Sequence, residues 1–124
     1  MDDKRMFIAI PAEGDAYIVD ATDKNNGEVI RKIVDGWYQC IDLSPDLAMW
    51  MNEEGKNLNL PHNERAQFIW DSRFGEGTDY IVGNVVLTGG VDDEGETLGL
   101  AEPAVDRLIN LIMRAMIEMV GRLD

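Results

Sequence analysis

Hydrophobic and polar positions along the chain follow two periods, and the switches between them mark out eight elements. Phe7-Ile8-Ala9-Ile10 reads as a short buried strand, and Tyr17-Ile18-Val19 as a second one after the turn-rich residues 11–15. A hairpin is the shortest connection between them. The polar residues 23–27 offer Asp23 or Asn26 as an N-cap. Val29, Ile30, Ile33, Val34 and Trp37 then recur at helical spacing, with Arg31 and Lys32 late in the helix and Gly36 placed to end it. Strand character returns over residues 38–43 and again over 47–51, separated by the turn Ser44-Pro45-Asp46. Asn52-Glu53-Glu54-Gly55 is a further turn, and a short helix over residues 63–70 turns Ala66, Ile69 and Trp70 inward. Residues 80–88 carry the strongest strand signal in the chain, with Gly83 marking a bulge or bend. An acidic loop over residues 89–99 leads to a last helix, which Pro103 opens and which runs to about residue 120, where Gly121 stops it.

The predicted order is β-β-α-β-β-α-β-α. Strands and helices neither alternate strictly nor segregate, which points to one α+β domain over residues 1–124 with a five-stranded, mostly antiparallel sheet. No repeat or long linker divides the chain.

Composition narrows the function classes. The chain has 124 residues, 24 acidic against 11 basic side chains, and a formal net charge of −13. That length supports a hydrophobic core without covalent staples. The lone Cys40 excludes an internal disulfide, and the charge argues against direct binding of nucleic acid, which needs clustered Lys and Arg. The apolar run at residues 6–10 is too short for a secretory signal, and no stretch reaches the ~20 apolar residues of a membrane span. A soluble cytoplasmic protein without membrane contact is expected.

Catalytic constellations are incomplete. His62 and Glu64 have the spacing of a zinc deaminase motif, but the paired cysteines that would complete the metal site are missing, so a solvent-facing histidine is expected. Cys40, within a strand, reads as a buried, inert thiol. The acidic segments at residues 20–27 and 92–96 fail the ligand offsets of a calcium loop. Gly89-Gly90 is followed by acids that repel phosphate, and no Gly-x-Ser-x-Gly is present. The expectation is a protein without enzymatic activity, metal or cofactor.

Two features suggest a binding surface. In the last helix, apolar residues including Leu108, Ile112, Met116 and Met119 form a stripe wider than one sheet face would cover, consistent either with a helix sandwiched in the core or with one that pairs with a copy of itself or another partner. Between Arg73 and Arg107 there is no basic residue, and Asp92, Asp93, Glu94 and Glu96 form an acidic face suited to a basic partner or simply to solvation.

Four segments together carry a family likeness: Val34-Asp35-Gly36-Trp37, Asn52-Glu53-Glu54-Gly55-Lys56, Leu60-Pro61-His62-Asn63-Glu64-Arg65-Ala66, and Ile81-Val82-Gly83-Asn84-Val85-Val86. In order and spacing, over roughly residues 6–90, the chain resembles the uncharacterised domain-of-unknown-function family 3846 of phages, plasmids and bacteria. Asp35 departs from the second glycine of that family's turn. The resemblance implies a small accessory protein of a mobile element and singles out Asn52, Glu53, Glu54, Asn63 and Arg65 as a polar cluster. In a structural role, Arg65 would pair with Glu53 or Glu54 and Asn63 would cap its helix; in a functional one, they would form a recognition surface. The combined expectation is a binder of a host or competitor protein. The alternatives are a nucleic-acid mimic that inhibits a DNA- or RNA-binding defence protein, and a small-molecule-sequestering protein with its pocket near Trp37, Trp50 or Trp70.

Overall fold

A computed structural model describes residues 4–121, apart from the side chains of Met116 and residues 118–121. The elements follow the predicted order: β1 (Met6–Ile10), β2 (Tyr17–Asp20), α1 (Asn26–Val34), β3 (Tyr38–Ser44), β4 (Leu47–Asn52), α2 (Glu64–Phe74), β5 (Val85–Thr88) and α3 (Glu102–Gly121). The strands form one sheet in the order β2-β1-β5-β4-β3. Every neighbouring pair is antiparallel. Two hairpins, β1–β2 and β3–β4, are thus joined through β5, which pairs Leu87 with both Ile8 and Met49.

Side-chain alternation sends the two sets of residues to different layers. On one face, Phe7 and Val86 pack with Ile30 and Val34 of α1. On the other, Ile8, Ile10, Met49, Val85 and Leu87 pack with Ile69 and Trp70 of α2 and Leu108 and Ile112 of α3. Helices therefore cover both faces, and all four residues of β5 are buried.

Helix ends differ from the sequence expectation by small, explicable steps. The Asn25 side chain caps α1 by accepting from the Glu28 N–H, while Asn26 reaches elsewhere, accepting from Arg5 and donating to the Thr97 carbonyl. Asp35, not Gly36, takes the left-handed position that ends α1, with φ 60°; short polar side chains tolerate that region better than most. Asn63 caps α2, which continues to Phe74, past the expected Trp70.

The largest departure lies in residues 80–88, where only Val85–Thr88 is strand. The Ile81 N–H donates to the Gln67 side chain and its carbonyl accepts from the Asn63 N–H, so these groups are committed to the start of α2. Gly83, at φ 76°, then turns the chain into β5, a conformation that favours glycine.

Beyond β5, the chain passes close to the N-terminal end of β1, where the Leu100 N–H donates to the Met6 carbonyl. A Cβ on Gly99 would lie 2.7 Å from Arg5 Cα and 2.8 Å from Met6 N, both backbone atoms. Gly99→Ala is therefore expected to cost about 2 kcal/mol through overpacking. Urea unfolding measures this as a lower midpoint with an unchanged slope.

Candidate functional site

The family-like segments converge at one end of the sheet, where β1, α1 and β4 finish and α2 and β5 begin. Connections crossing there leave buried backbone groups without ladder partners, and amide side chains supply them. Asn63 is fully buried; its Nδ2 donates to the Ile10 and Gly83 carbonyls, each at 2.8 Å, while its Oδ1 accepts from the Ala66 N–H. Asn52 Nδ2 donates to the Val34 and Asp35 carbonyls, and its Oδ1 accepts from the Glu54 N–H. Asn84, which sequence reasoning did not select as a site residue, links the same region by accepting from the Ala12 N–H and donating to the Ile33 carbonyl.

Arg65 departs from its expected ion pair with Glu53 or Glu54. Its guanidinium donates to the Pro11 carbonyl at 3.0 Å and to the Gly14 carbonyl, holding the β1–β2 connection against α2. Glu53 and Glu54 remain exposed in the turn after β4. The polar residues are consequently two groups of structural ties: Asn52 with the end of α1, and Asn63 and Arg65 with the end of β1. Beside them lies a cleft of about 310 Å³, lined by residues that include Glu13, Asp35, Leu60 and Asn84.

His62 is half-buried rather than turned to solvent. Its ring stacks on Tyr80 at 4.5 Å, and its Nε2 lies 3.1 Å from Gln67 Oε1. Because that oxygen already accepts from the Ile81 N–H, Nε2 is the donor in this pair. Nearby, Lys56 and Asp79 form an ion pair. Desolvation pushes the Asp79 carboxyl upward, but hydrogen bonds from Lys56 and the Tyr80 N–H, with the lysine charge, outweigh it and hold the group below its ordinary value.

Cys40 is exposed on edge strand β3, contrary to the expected burial. It lies opposite Trp50 in the register. Partial desolvation against the sheet, followed by repulsion from Asp42, pushes its thiol up to about 11, far from the range of an activated nucleophile. Among the described residues, no group of three or more His, Cys, Asp or Glu side chains gathers to hold a metal ion.

The acidic loop forms a small hairpin closed by a bridge between Val91 and Thr97. Asp92, itself exposed, organises the turn, its Oδ1 accepting from the Glu94 and Glu96 N–H groups. Asp93, Glu94 and Glu96 are exposed.

The last helix is partly core and partly surface. Leu108, Ile112 and Ala115 are buried, so two of the expected partner-contact residues serve the core. The side chains of Met116 and Met119 lie outside the described residues. A neighbouring ridge leaves Met113 55% and Ile117 69% exposed. Between this ridge and β2 runs an apolar groove of about 410 Å³, lined by Ile8, Asp15, Ala16, Tyr17, Ile18, Ile109, Ile112 and Met113. Ile18 is 53% exposed at the groove's far wall, on the edge strand. None of the three tryptophans lines it.

Two predictions distinguish the structural ties from surface chemistry. Asn63→Ala removes a cap and leaves two buried carbonyls without donors, an expected cost of about 3 kcal/mol in urea unfolding. Glu53→Ala should stay within about 0.5 kcal/mol. For Cys40, the rate of modification by a disulfide reagent should rise about tenfold per pH unit from pH 8 to 10, because the thiolate fraction grows tenfold per unit below the folded-state value. A rate already at its plateau by pH 8 would contradict this assignment.

No curated protein and no solved structure matches the chain. A family model described as Domain of unknown function (DUF3846) matches residues 5–113, reaching past the 6–90 motif region through the acidic loop and into α3. On the strength of that match, the chain belongs to the DUF3846 family.

Proposed function

We propose that this chain is a small accessory protein of a phage or other mobile element and acts by binding a protein of the host or of a competing element, rather than by catalysis. The observation that supports this reading is the apolar groove between α3 and β2. Met113, Ile117 and Ile18 are each more than half exposed. Adjacent exposed apolar side chains around a preformed depression are a feature of protein-binding surfaces. The carboxamide-tied end of the sheet plays the supporting part by fixing the β1–β2 connection and the start of α2. The acidic loop is a weaker basis for nucleic-acid mimicry, since a short run of exposed acids, Asp92, Asp93, Glu94 and Glu96, is equally what a solvated loop carries.

The test places a photo-crosslinking residue at Met113 or at Glu28, an exposed α1 position on the other side of the sheet, in cells that produce the protein. An adduct with one defined protein from Met113 and not from Glu28 is expected. Equal adducts from both positions, none from Met113, or only a doubled chain mass would overturn the proposal. Met113→Glu and Ile18→Asp should each cost no more than about 1.5 kcal/mol, because both side chains are half exposed and the larger part of the Ile18 effect is lost strand propensity.

A further inference from the structure

We infer that the segment seated in the α3–β2 groove is a cationic amphipathic helix of the partner protein, an inference that rests on the protein-binding reading above. The floor is apolar, and Asp15 is the one charged residue in its lining. On α3, Asp106, Asn110, Met113 and Ile117 succeed one another at intervals of four, three and four residues, so they share one ridge above the groove. The charged member of that ridge is acidic. Arg107 and Arg114 lie roughly a quarter turn further round the helix, away from β2. Asp20 ends β2 beyond the lining, and Lys4 and Lys24 lie within electrostatic reach of it, so the acid on that side of the groove is Asp15. Arg31 and Lys32 belong to α1, across the sheet.

The groove is therefore an apolar strip with one acid on each side, Asp15 and Asp106, and no base among its described lining residues. Its complement is an apolar stripe flanked by Lys and Arg, the pattern of a basic amphipathic helix. A second copy fits poorly, because it would set acid against acid and bring together two chains that each carry a net charge of −13. An added strand would have only the four residues of β2 to pair with.

The intact protein is titrated with three fluorescent 18-residue peptides: an amphipathic Leu/Lys helix, its scrambled isomer of identical composition, and an amphipathic Leu/Glu helix. The Leu/Lys helix should bind at least tenfold more tightly than either control. Its affinity should fall at least tenfold with Met113→Glu, and also with the double substitution Asp15→Asn and Asp106→Asn. The double substitution should also flatten the salt dependence of binding. Methyl signals of Ile18 and Met113 should shift with the Leu/Lys peptide. Equal binding of the scrambled isomer would reduce the effect to bulk charge and overturn the inference. Equal or tighter binding of the Leu/Glu helix would overturn the cationic assignment while leaving the groove as a protein site. Failure of all three peptides, with the Met113 cross-link still forming, would overturn the cationic helix alone; failure of the cross-link as well would remove both readings.

Discussion

Pairing of β1 with β5 is the constraint on which the rest of the structure depends. It joins residues 8–10 to residues 85–87 and sets both strands inside the sheet, with a neighbour on each edge. Strands placed there expose neither edge nor face to water, so both layers must be covered. α1 does this on one side, and α2 with α3 on the other. Such a non-local pairing carries a loop-closure cost that grows only slowly with the length of the intervening chain. The intervening chain also yields its own hairpin, β3–β4, whose inner strand completes the other side of β5.

Inserting β5 between two hairpins brings several connections over one end of the sheet, where regular backbone pairing stops. Asn52, Asn63 and Asn84 resolve this with side-chain amides, each offering a donor and an acceptor to backbone groups from separate parts of the chain. Gln67 does the same beside them, accepting from the Ile81 N–H and donating to the Asp79 carbonyl. An uncharged amide suits this work better than a carboxylate, since it meets carbonyls with N–H groups and amides with an oxygen without burying charge.

Most of the fold was legible because local patterning and tertiary burial agree. The apolar run of β1 matches an inner strand, and the 3.6-residue period of Val29, Ile30, Ile33 and Val34 matches a helix laid on one face. What failed to show was set by partners distant in sequence. Residues 80–84 have strand composition, yet the carbonyls and amides they need come from α2 and its cap, so the ladder begins only at Val85. Cys40 looks like a core residue until strand order makes β3 an edge, and no local signal encodes that order. Asn63 was readable as a cap from its place before Glu64, but its hold on Ile10 and Gly83 was not. In α3, periodicity predicted an apolar stripe too wide for one face. It could not say that Leu108 and Ile112 would take the core while Met113 and Ile117 remained outside.

That division of α3 gives the net charge a structural meaning. Acids spread evenly over a surface would chiefly confer solubility and long-range repulsion. Here the wall residue Asp15 and the ridge residue Asp106 border apolar surface, while Arg31 and Lys32 lie on α1 across the sheet. On the proposed reading, such a border would oppose association of the strip with its own copies, because an approach in register sets like charges against each other. The same border attracts a segment of opposite sign and desolvates the strip only when that segment also offers an apolar face. On the proposed reading, charge in this arrangement would set which partner is admitted, and the apolar floor would supply the free energy of keeping it.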